Sequence, residues 1–288
     1  MKVKEVFEKS VQFLRDKKIE SPRLETELLL ASVLQTDRIG IYLKYEAPLT
    51  DTEVGRMREL VVRKSKGEPT AYLLGEKYFF GRRFAVGPGV LIPRPETEMI
   101  VEDLVRERQN GDLQDKFLVA DWGAGSGCLG LSIGLEFPKA QITLVERSPA
   151  AFGYCSKNLE SLVTLEDRQR FQLVNGSVED WNSGELMSLV VANPPYIDFQ
   201  DTEVLPAVRQ FEPHEALFAE EKGLAALKSW IAKAALVLAP GGRCYFEIGY
   251  QQGPTVKEFF EAGNAFCKVE ILKDFNKLDR IVKAVKNG

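Results

Sequence analysis

The tetrapeptide Asn193-Pro194-Pro195-Tyr196 directly follows an apolar run, Met187–Ala192, that predicts a buried parallel strand. Two consecutive prolines end the strand and bias the loop toward extended backbone. The loop can therefore present a carboxamide, the Pro194 carbonyl and an aromatic ring beyond the strand's carboxyl end. A planar group that carries an NH2 fits such a loop, because the two oxygens accept its N–H bonds and the ring stacks on its plane. A strand-ending turn without function is the alternative, since Asn-Pro commonly begins turns.

A glycine-rich turn stands earlier in the chain, between a predicted strand, Phe117–Asp121, and a predicted helix, Cys128–Glu136. Because glycine has no Cβ, such a turn lets the backbone approach a ligand and points the N–H groups of the helix at it. Cys128 takes the place of the third glycine of the dinucleotide-binding motif, so that motif is incomplete. We expect the turn to bind a cofactor through Gly123, Ala124, Gly125, Ser126 and Gly127.

Three further side chains are predicted to face the same ligand, because ligands of open α/β sheets bind beyond the carboxyl ends of the strands. Glu146 ends the strand Ala140–Val145. It lies about 20 residues past the glycine turn, where an acidic side chain can accept both ribose hydroxyls of an adenosine. An exposed carboxylate at a strand end is the alternative. Val178, after the strand 170–174, can rest against adenine, and Asn193 faces the ligand's reactive end.

These residues favour methyl transfer from S-adenosylmethionine, which would leave S-adenosylhomocysteine. The sequence has no Walker lysine for phosphoryl transfer, and the sulfonium of this cofactor carries an activated methyl group. The acceptor would be an amide or an exocyclic amine, whose lone pair is delocalised and poorly nucleophilic. The Asn193 oxygen and the Pro194 carbonyl could localise that lone pair and stabilise the positive charge that develops on nitrogen. Methyl transfer of this kind needs no strong base beforehand.

The elements that position these residues alternate between strand and helix from residue 117 onward, which predicts a doubly wound, mostly parallel α/β sheet. Three later strands, Arg243–Ile248, Phe266–Lys273 and Arg280–Lys286, complete a sheet of seven. The connection from Glu203 to Gly223 is expected to be a loop that serves as a lid or a substrate-binding segment.

Residues 1–75 predict an N-terminal helical bundle that recognises a partner, with a purely stabilising extension as the alternative. Ser21 and Pro22 predict the N-cap and first residue of its second helix, and Thr50–Glu53 predicts a capping box. The third helix is expected to end near Gly67. Residues 76–92 predict a β-hairpin linker, and residues 93–288 a methyltransferase domain. At the start of that domain, Arg94 or Glu96 could face the mouth of the site.

Composition bounds the remaining possibilities. The net charge of −4 gives no nucleic-acid signature, and no apolar run is long enough to span a membrane. The segment MKVKEVFEKS lacks a signal-peptide core. Four scattered cysteines and a single histidine predict reduced thiols and no metal site. We expect a cytoplasmic monomer that does not act directly on nucleic acid and does not bind membranes.

Several motifs together resemble the peptide chain release factor N5-glutamine methyltransferases, over nearly the whole chain. Beside the helical extension and the GAGSG turn, they are Leu91–Glu98 (LIPRPETE), Asn193–Ile197 (NPPYI), Phe211–Leu217 (FEPHEAL) and Gly241–Gly253 (GGRCYFEIGYQQG). NPPY alone is shared with adenine-N6 methyltransferases, whereas PRPETE and FEPHEAL are more specific. The resemblance implies a Rossmann-like class I methyltransferase fold, and methylation of the Gly-Gly-Gln glutamine of bacterial class 1 release factors, which modulates translation termination.

The resemblance also implies roles for individual residues. The glycine turn, Glu146, Val178 and Asn193 would contact S-adenosylmethionine. The target glutamine would be held by Asn193, Pro194, Pro195 and Tyr196, with Asn193, Pro194 and Tyr196 catalytic. The N-terminal bundle resembles the family's docking module for the release factor.

Two other functions stay open. An adenine-N6 methyltransferase would use the same NPPY loop, but the acidic net charge and the lack of an obvious DNA-reading domain weigh against it. A cofactor-binding scaffold without turnover is the second, and the intact Asn193 and Tyr196 weigh against that.

Overall fold

The structure is a computed structural model that describes residues 1–111, 113 and 117–288. It contains two compact units, Met1–Glu76 with Val204–Phe211, and Lys77–Glu203 with Glu212–Gly288. Its helices are α1 (Val3–Asp16), α2 (Pro22–Val33), α3 (Arg38–Leu43), α4 (Asp51–Lys64), α5 (Thr70–Leu74), α6 (Glu98–Gln109), α7 (Cys128–Glu136), α8 (Pro149–Leu162), α9 (Pro206–Phe211), α10 (His214–Leu217), α11 (Glu220–Gly223), α12 (Ala225–Val237) and α13 (Gly253–Glu261). Its strands are β1 (Glu76–Phe79), β2 (Arg82–Ala85), β3 (Leu118–Trp122), β4 (Gln141–Glu146), β5 (Phe171–Asn175), β6 (Met187–Ala192), β7 (Ile197–Asp198), β8 (Phe218–Ala219), β9 (Leu238–Glu247), β10 (Phe266–Lys273) and β11 (Asp279–Lys286).

The first unit is a helical bundle built around buried aliphatic side chains. Leu14 of α1, Leu29 and Leu30 of α2, and Met57 and Leu60 of α4 are all at most 1% exposed. Burying one such side chain stabilises the fold by about 1.5–3 kcal/mol. The N-terminal helices predicted from the sequence are therefore present.

Of the two helix starts predicted for this unit, one has the predicted cap and the other does not. Thr50 and Glu53 form the predicted capping box: the Glu53 N–H donates to Thr50 Oγ1 at 3.2 Å, and the Thr50 N–H donates to Glu53 Oε2 at 2.7 Å. Ser21 precedes α2 as predicted, but its φ is +51° and its side chain makes no cap hydrogen bond. The side-chain cap predicted at Ser21 is therefore wrong, because the left-handed backbone carries the hydroxyl away from the helix N–H groups.

The second unit contains the seven-stranded, mostly parallel sheet expected from the sequence. Its strand order is β10-β11-β9-β6-β3-β4-β5. Strands β9, β6, β3, β4 and β5 are parallel, whereas β11 runs antiparallel to both β9 and β10. The parallel strands therefore bring their carboxyl ends to one edge of the sheet. The hairpin strands β1 and β2 form a separate two-stranded sheet.

Helices cover both faces of the sheet and bury its side chains in two clusters. Helices α6, α7 and α8 contribute to one cluster, with Leu104, Ile133 and Cys155 among its members. Helices α12 and α13 contribute to the other, with Trp230 and Phe260. Two covered faces explain why the central strands are almost entirely apolar in sequence.

A second two-stranded sheet stabilises the segment that follows NPPY. Strand β7 pairs in parallel with β8, with Ile197 opposite Phe218 and Asp198 opposite Ala219. Residues 203–223 are therefore not the continuous loop that we predicted, since they contain α9, α10, β8 and α11. These elements have two to six residues, which is too short for periodicity to reveal them.

Candidate active site

The carboxyl edge of the sheet holds a cavity whose lining residues all belong to the second unit. The cavity is lined from the glycine turn by Gly123, Ala124, Gly125 and Ser126, from β4 by Glu146, from beyond β5 by Val178, and from the NPPY loop by Asn193 and Pro195. The structure thus brings together most of the side chains predicted for the site. Gly127, Pro194 and Tyr196 are not among the lining residues.

The glycine turn between β3 and α7 depends on left-handed backbone. The φ angles of Gly123, Gly125 and Gly127 are +65°, +58° and +78°. A Cβ on Gly127 would lie 2.8 Å from Cys155 Sγ, so a larger residue would also collide there. Gly127 therefore shapes the turn through packing behind the cavity.

Glu146 is held in place by hydrogen bonds from two backbone N–H groups. Its Oε2 accepts from the Gly125 N–H at 2.8 Å, and its Oε1 accepts from the Ser148 N–H at 2.7 Å. Burial raises the pKa of Glu146, and these two donors oppose that rise. Each carboxylate oxygen has a second lone-pair direction, so both remain able to accept a ligand hydroxyl.

Asp121 is a lining residue that we did not predict. Its side chain is buried in β3 and accepts from the Gly130 N–H at 2.8 Å. Burial raises the pKa of Asp121 to about 7, and the nearby Glu146 charge adds to the rise. The only signal in the sequence was an acidic residue inside an otherwise apolar strand. Asp121 and Glu146 thus place two buried carboxyl groups in the cavity wall.

The NPPY loop is tied to the rest of the unit by a buried chain of hydrogen bonds. Asn193 Nδ2 donates to Thr97 Oγ1 at 3.2 Å, and Thr97 Oγ1 donates to Glu247 Oε2 at 2.5 Å. The Tyr196 hydroxyl donates to Glu247 Oε1 at 2.9 Å. Burial, together with the Glu247 charge, raises the pKa of Tyr196 well above its ordinary value. Sequence reasoning missed both Thr97 and Glu247, which lie 96 and 51 residues from their NPPY partners.

The backbone of Tyr196 is fixed by a second set of contacts. Gln252 Nε2 donates to the Tyr196 carbonyl at 2.9 Å, while Gln252 Oε1 accepts from the Gly249 N–H at 2.9 Å. Gly223 packs against the same carbonyl with a φ of +82°, and a Cβ there would overlap the carbonyl oxygen. The loop is therefore constrained at its first and last residues.

Glu212 connects the FEPHEAL segment to the residues before α6. Its carboxylate accepts from the Ile92 N–H at 3.1 Å and from Arg94 Nη2 at 2.6 Å. Arg94 itself lines the cavity, as do Pro213, Glu215 and Ala216. The segment predicted to serve as a lid or a substrate loop thus supplies part of the cavity wall.

Among residues 1–111, 113 and 117–288, no group of three or more His, Cys, Asp or Glu side chains could hold a metal ion. Within the same ranges, every helix is too short or too polar to cross a membrane.

Two family models match the chain: the PrmC N-terminal domain over residues 5–75 and the Methyltransferase small domain over residues 96–214. A release factor glutamine methyltransferase of Geobacter sulfurreducens is 37% identical over 281 residues, which cover 97% of this chain and 95% of the relative. One from Salmonella typhimurium is 34% identical over 272 residues, or 94% of each chain. A methyltransferase structure from Pyrococcus furiosus, 15% identical, superimposes with a TM-score of 0.52 over 81% of this chain and 99% of its own, and so shares the fold. The chain therefore belongs to the family of release factor glutamine methyltransferases.

Proposed function

We propose that the chain transfers a methyl group from S-adenosylmethionine to the side-chain N5 of the glutamine in the Gly-Gly-Gln motif of bacterial class 1 release factors, and thereby modulates translation termination. The observation that carries this proposal is that the glycine turn and Asn193 line one cavity. A cofactor bound at the turn and a planar amide bound at Asn193 would then meet inside it.

The residues of the cavity fit this cofactor. Ser126 Oγ is buried and has no hydrogen-bond partner among the described residues, and Ser126 lines the cavity. Asp121 and Glu146 offer carboxyl groups to a ligand that carries positive charge and ribose hydroxyls. The glycine turn, Glu146, Val178 and Asn193 would hold S-adenosylmethionine. When bound, the cofactor supplies a methyl group activated by a sulfonium centre.

The chain's own contribution to the reaction is to bind and orient the acceptor amide. Asn193 Oδ1 and the Pro194 carbonyl would accept its two N–H bonds, which holds the nitrogen lone pair toward the methyl donor. The same two acceptors would stabilise the charge that builds on nitrogen, and removing one such contact commonly costs about 2.7–4 kcal/mol in the barrier. Tyr196 would hold the loop in place, because its hydroxyl donates to Glu247. The bond between the methyl group and the sulfonium sulfur would break as the N–C bond forms, and the methylated amide would afterwards release one N–H proton to water, so these residues need not include a base.

Recognition of the whole release factor is assigned in this proposal to residues 1–75. Helix α3 exposes apolar side chains to solvent, with Ile39 71% and Leu43 84% exposed. Single apolar side chains are common on surfaces, but two on one six-residue helix suit a protein partner.

The test is methyl transfer from tritiated cofactor to a purified release factor, followed by mass spectrometry of the peptide that contains Gly-Gly-Gln. We expect label on wild-type release factor and none on a variant in which that glutamine is alanine. Label that persists in the alanine variant would refute the proposal. Transfer to DNA or RNA in place of the release factor would favour the adenine-N6 alternative, and cofactor binding with no transfer at all would favour the scaffold.

A further inference from the structure

An asparagine carboxamide can occupy a site in two nearly isosteric orientations, one of which presents an oxygen and the other an NH2. Only the first orientation of Asn193 can accept an N–H from an acceptor amide. The side of the carboxamide that faces away from the cavity must therefore specify which orientation is populated. On that side its partner is Thr97 Oγ1, at 3.2 Å from Nδ2.

The hydrogen bonds that connect Glu247, Thr97 and Asn193 share a limited number of protons, and that number decides which atom donates in each bond. Glu247 in its carboxylate form has no proton to donate, and it accepts from Thr97 at 2.5 Å and from Tyr196 at 2.9 Å. A hydroxyl has one proton, so Thr97 has none left for Asn193 and can only accept from it. The carboxamide NH2 is thus directed to Thr97, which leaves Oδ1 for the cavity.

Burial strengthens the control of Thr97 over the orientation of the Asn193 carboxamide. Thr97 is 2% exposed and Glu247 is 1% exposed, so water does not compete for these bonds. Burial, together with the Glu96 charge, raises the pKa of Glu247, and the hydroxyl donors of Thr97 and Tyr196 and the positive charge of Arg280 oppose that rise. Thr97 and Asn193 line the cavity, whereas Glu247 does not. Any influence of Glu247 on a ligand in the cavity must therefore pass through other side chains.

We propose that the Glu247 carboxylate, through Thr97, sets the carboxamide of Asn193 with its oxygen toward the methyl acceptor, so that Glu247 is a positioning residue for methyl transfer. The inference rests on the proposed function for its kinetic consequence. The same carboxylate also accepts a hydrogen bond from Tyr196. Glu247 is therefore connected to both the first and the last residue of NPPY, to Asn193 through Thr97 and to Tyr196 directly.

Glu247→Gln is the informative substitution because it keeps the size of the side chain and adds an NH2. A glutamine that donates to Thr97 Oγ1 frees the Thr97 proton for Asn193 Oδ1, which turns the Asn193 NH2 toward the cavity. Thr97→Val removes the hydroxyl at nearly constant shape, whereas Thr97→Ser retains it. Glu102→Gln, an exposed carboxylate on α6, is the matched control.

The kinetic test measures kcat, KM for the release factor and Kd for S-adenosylhomocysteine in each variant. We expect Glu247→Gln and Thr97→Val to lower kcat by about tenfold or more, and to leave the Kd within about threefold of wild type. Thr97→Ser and Glu102→Gln should retain kcat within about threefold. The double variant Glu247→Gln, Thr97→Val should have a kcat no lower than that of the slower of these two single variants, because both substitutions disrupt the same series of hydrogen bonds.

A readout without substrate separates this inference from the proposed function. The side-chain NH2 signals of Asn193, identified by their loss in Asn193→Ala, should shift in Glu247→Gln and Thr97→Val and stay in place in Thr97→Ser and Glu102→Gln. If the NH2 signals shift as expected but the wild-type protein methylates no release factor, the proposed function is contradicted and the role of Glu247 in orienting Asn193 still holds. Unchanged NH2 signals, or folded Thr97→Val with kcat within threefold of wild type, overturns the role of Glu247. If Glu247→Gln is unstable, the comparison of Thr97→Val with Thr97→Ser still tests the inference.

Discussion

Arg94 Nη2 lies 2.6 Å from Glu212 Oε1, although the two residues are 118 positions apart in the chain. The Glu212 side chain is 1% exposed, and that of Arg94 is 29% exposed. This ion pair connects the PRPETE and FEPHEAL motifs, which stand as separate signatures in the sequence. Their combination in one chain therefore has a structural reason.

Replacing Arg94 by methionine should destabilise the protein by about 3 kcal/mol, because it leaves a buried carboxylate without its cation. Urea unfolding at neutral pH measures the change. Lys257→Met removes one partner of the exposed pair with Glu261 and should cost less than about 1 kcal/mol. The double variant Arg94→Met, Glu212→Gln should recover part of the loss, and purely additive costs would contradict the pairing.

Asn193→Ala should lower kcat far more than it weakens cofactor binding, because the bonds of Asn193 matter most as charge builds on nitrogen. We expect a loss of about a hundredfold or more in kcat, measured as initial rates of methyl transfer to the release factor. Asn182→Ala, at an exposed position, is the control. Comparable losses in kcat and in cofactor affinity would argue against Asn193 as the acceptor's binding partner.

Asp121 should make the stability of the protein depend on pH between about 4 and 7. Its pKa in the folded protein is about 7, well above its ordinary value. Within this window the folded state keeps the proton and the unfolded state releases it, so stability falls as pH rises, by at most about 1.4 kcal/mol per pH unit. Below and above the window the contribution is constant.

Asp121→Asn removes this dependence and retains an acceptor for the Gly130 N–H. The unfolding free energy of wild type minus that of the variant should therefore decrease as pH rises from 4 to 7. The measurement is urea unfolding at each pH for both proteins. A difference that is flat, or that increases over this range, would show that Asp121 is already ionised in the folded protein.

Gly223→Ala should cost both stability and activity, because a Cβ there overlaps the Tyr196 carbonyl in addition to straining the backbone. Gly241 provides a close control: its φ is +77°, and a Cβ there would meet nothing within 4 Å. Gly241→Ala should cost about 1–2 kcal/mol from backbone strain alone. Gly223→Ala should cost more and should lower kcat, as unfolding and rate measurements would show. Equal effects of the two substitutions would mean that the contact with Tyr196 is unimportant.

Leu43→Ser should raise KM for the intact release factor by about fivefold or more, by removing an apolar contact of the proposed docking helix. It should leave the rate with a short Gly-Gly-Gln peptide unchanged. Leu236→Ser, at a position 75% exposed on α12, controls for loss of surface apolarity. Equal KM values for Leu43→Ser and wild type would place the recognition of the release factor elsewhere.

Elements with a strong local pattern could be predicted from the sequence. The apolar run of β6 and the 3.6-residue periodicity of the longer helices predicted those elements to within a few residues, and the glycine turn and Asn193 indicated where the cavity lies. Helices α3 and α5, with six and five residues, were missed because they are shorter than two turns. The strand predicted over Arg243–Ile248 begins too late, since β9 begins at Leu238 and includes Gly241 and Gly242.

The residues that support the site could not be predicted, because nothing local distinguishes them. Thr97 reads as part of a helix start, and Glu247 as an acidic residue in a strand; their contact spans 150 positions. Asp121 depends in the same way on a helix N–H nine residues away. Propensity and periodicity describe neighbours in sequence, whereas these roles arise when the fold brings distant side chains into a buried space.

The short parallel pairing of β7 with β8 fixes the chain on both sides of the segment that connects the NPPY and FEPHEAL motifs. Ile197 and Asp198 follow NPPY directly, and Phe218 and Ala219 follow FEPHEAL. With this pairing securing the chain on both sides, residues 199–210 can change their composition during evolution, while Glu212 and the cavity-lining residues Pro213, Glu215 and Ala216 persist. New protein substrates could thus be accommodated without rebuilding the chemistry.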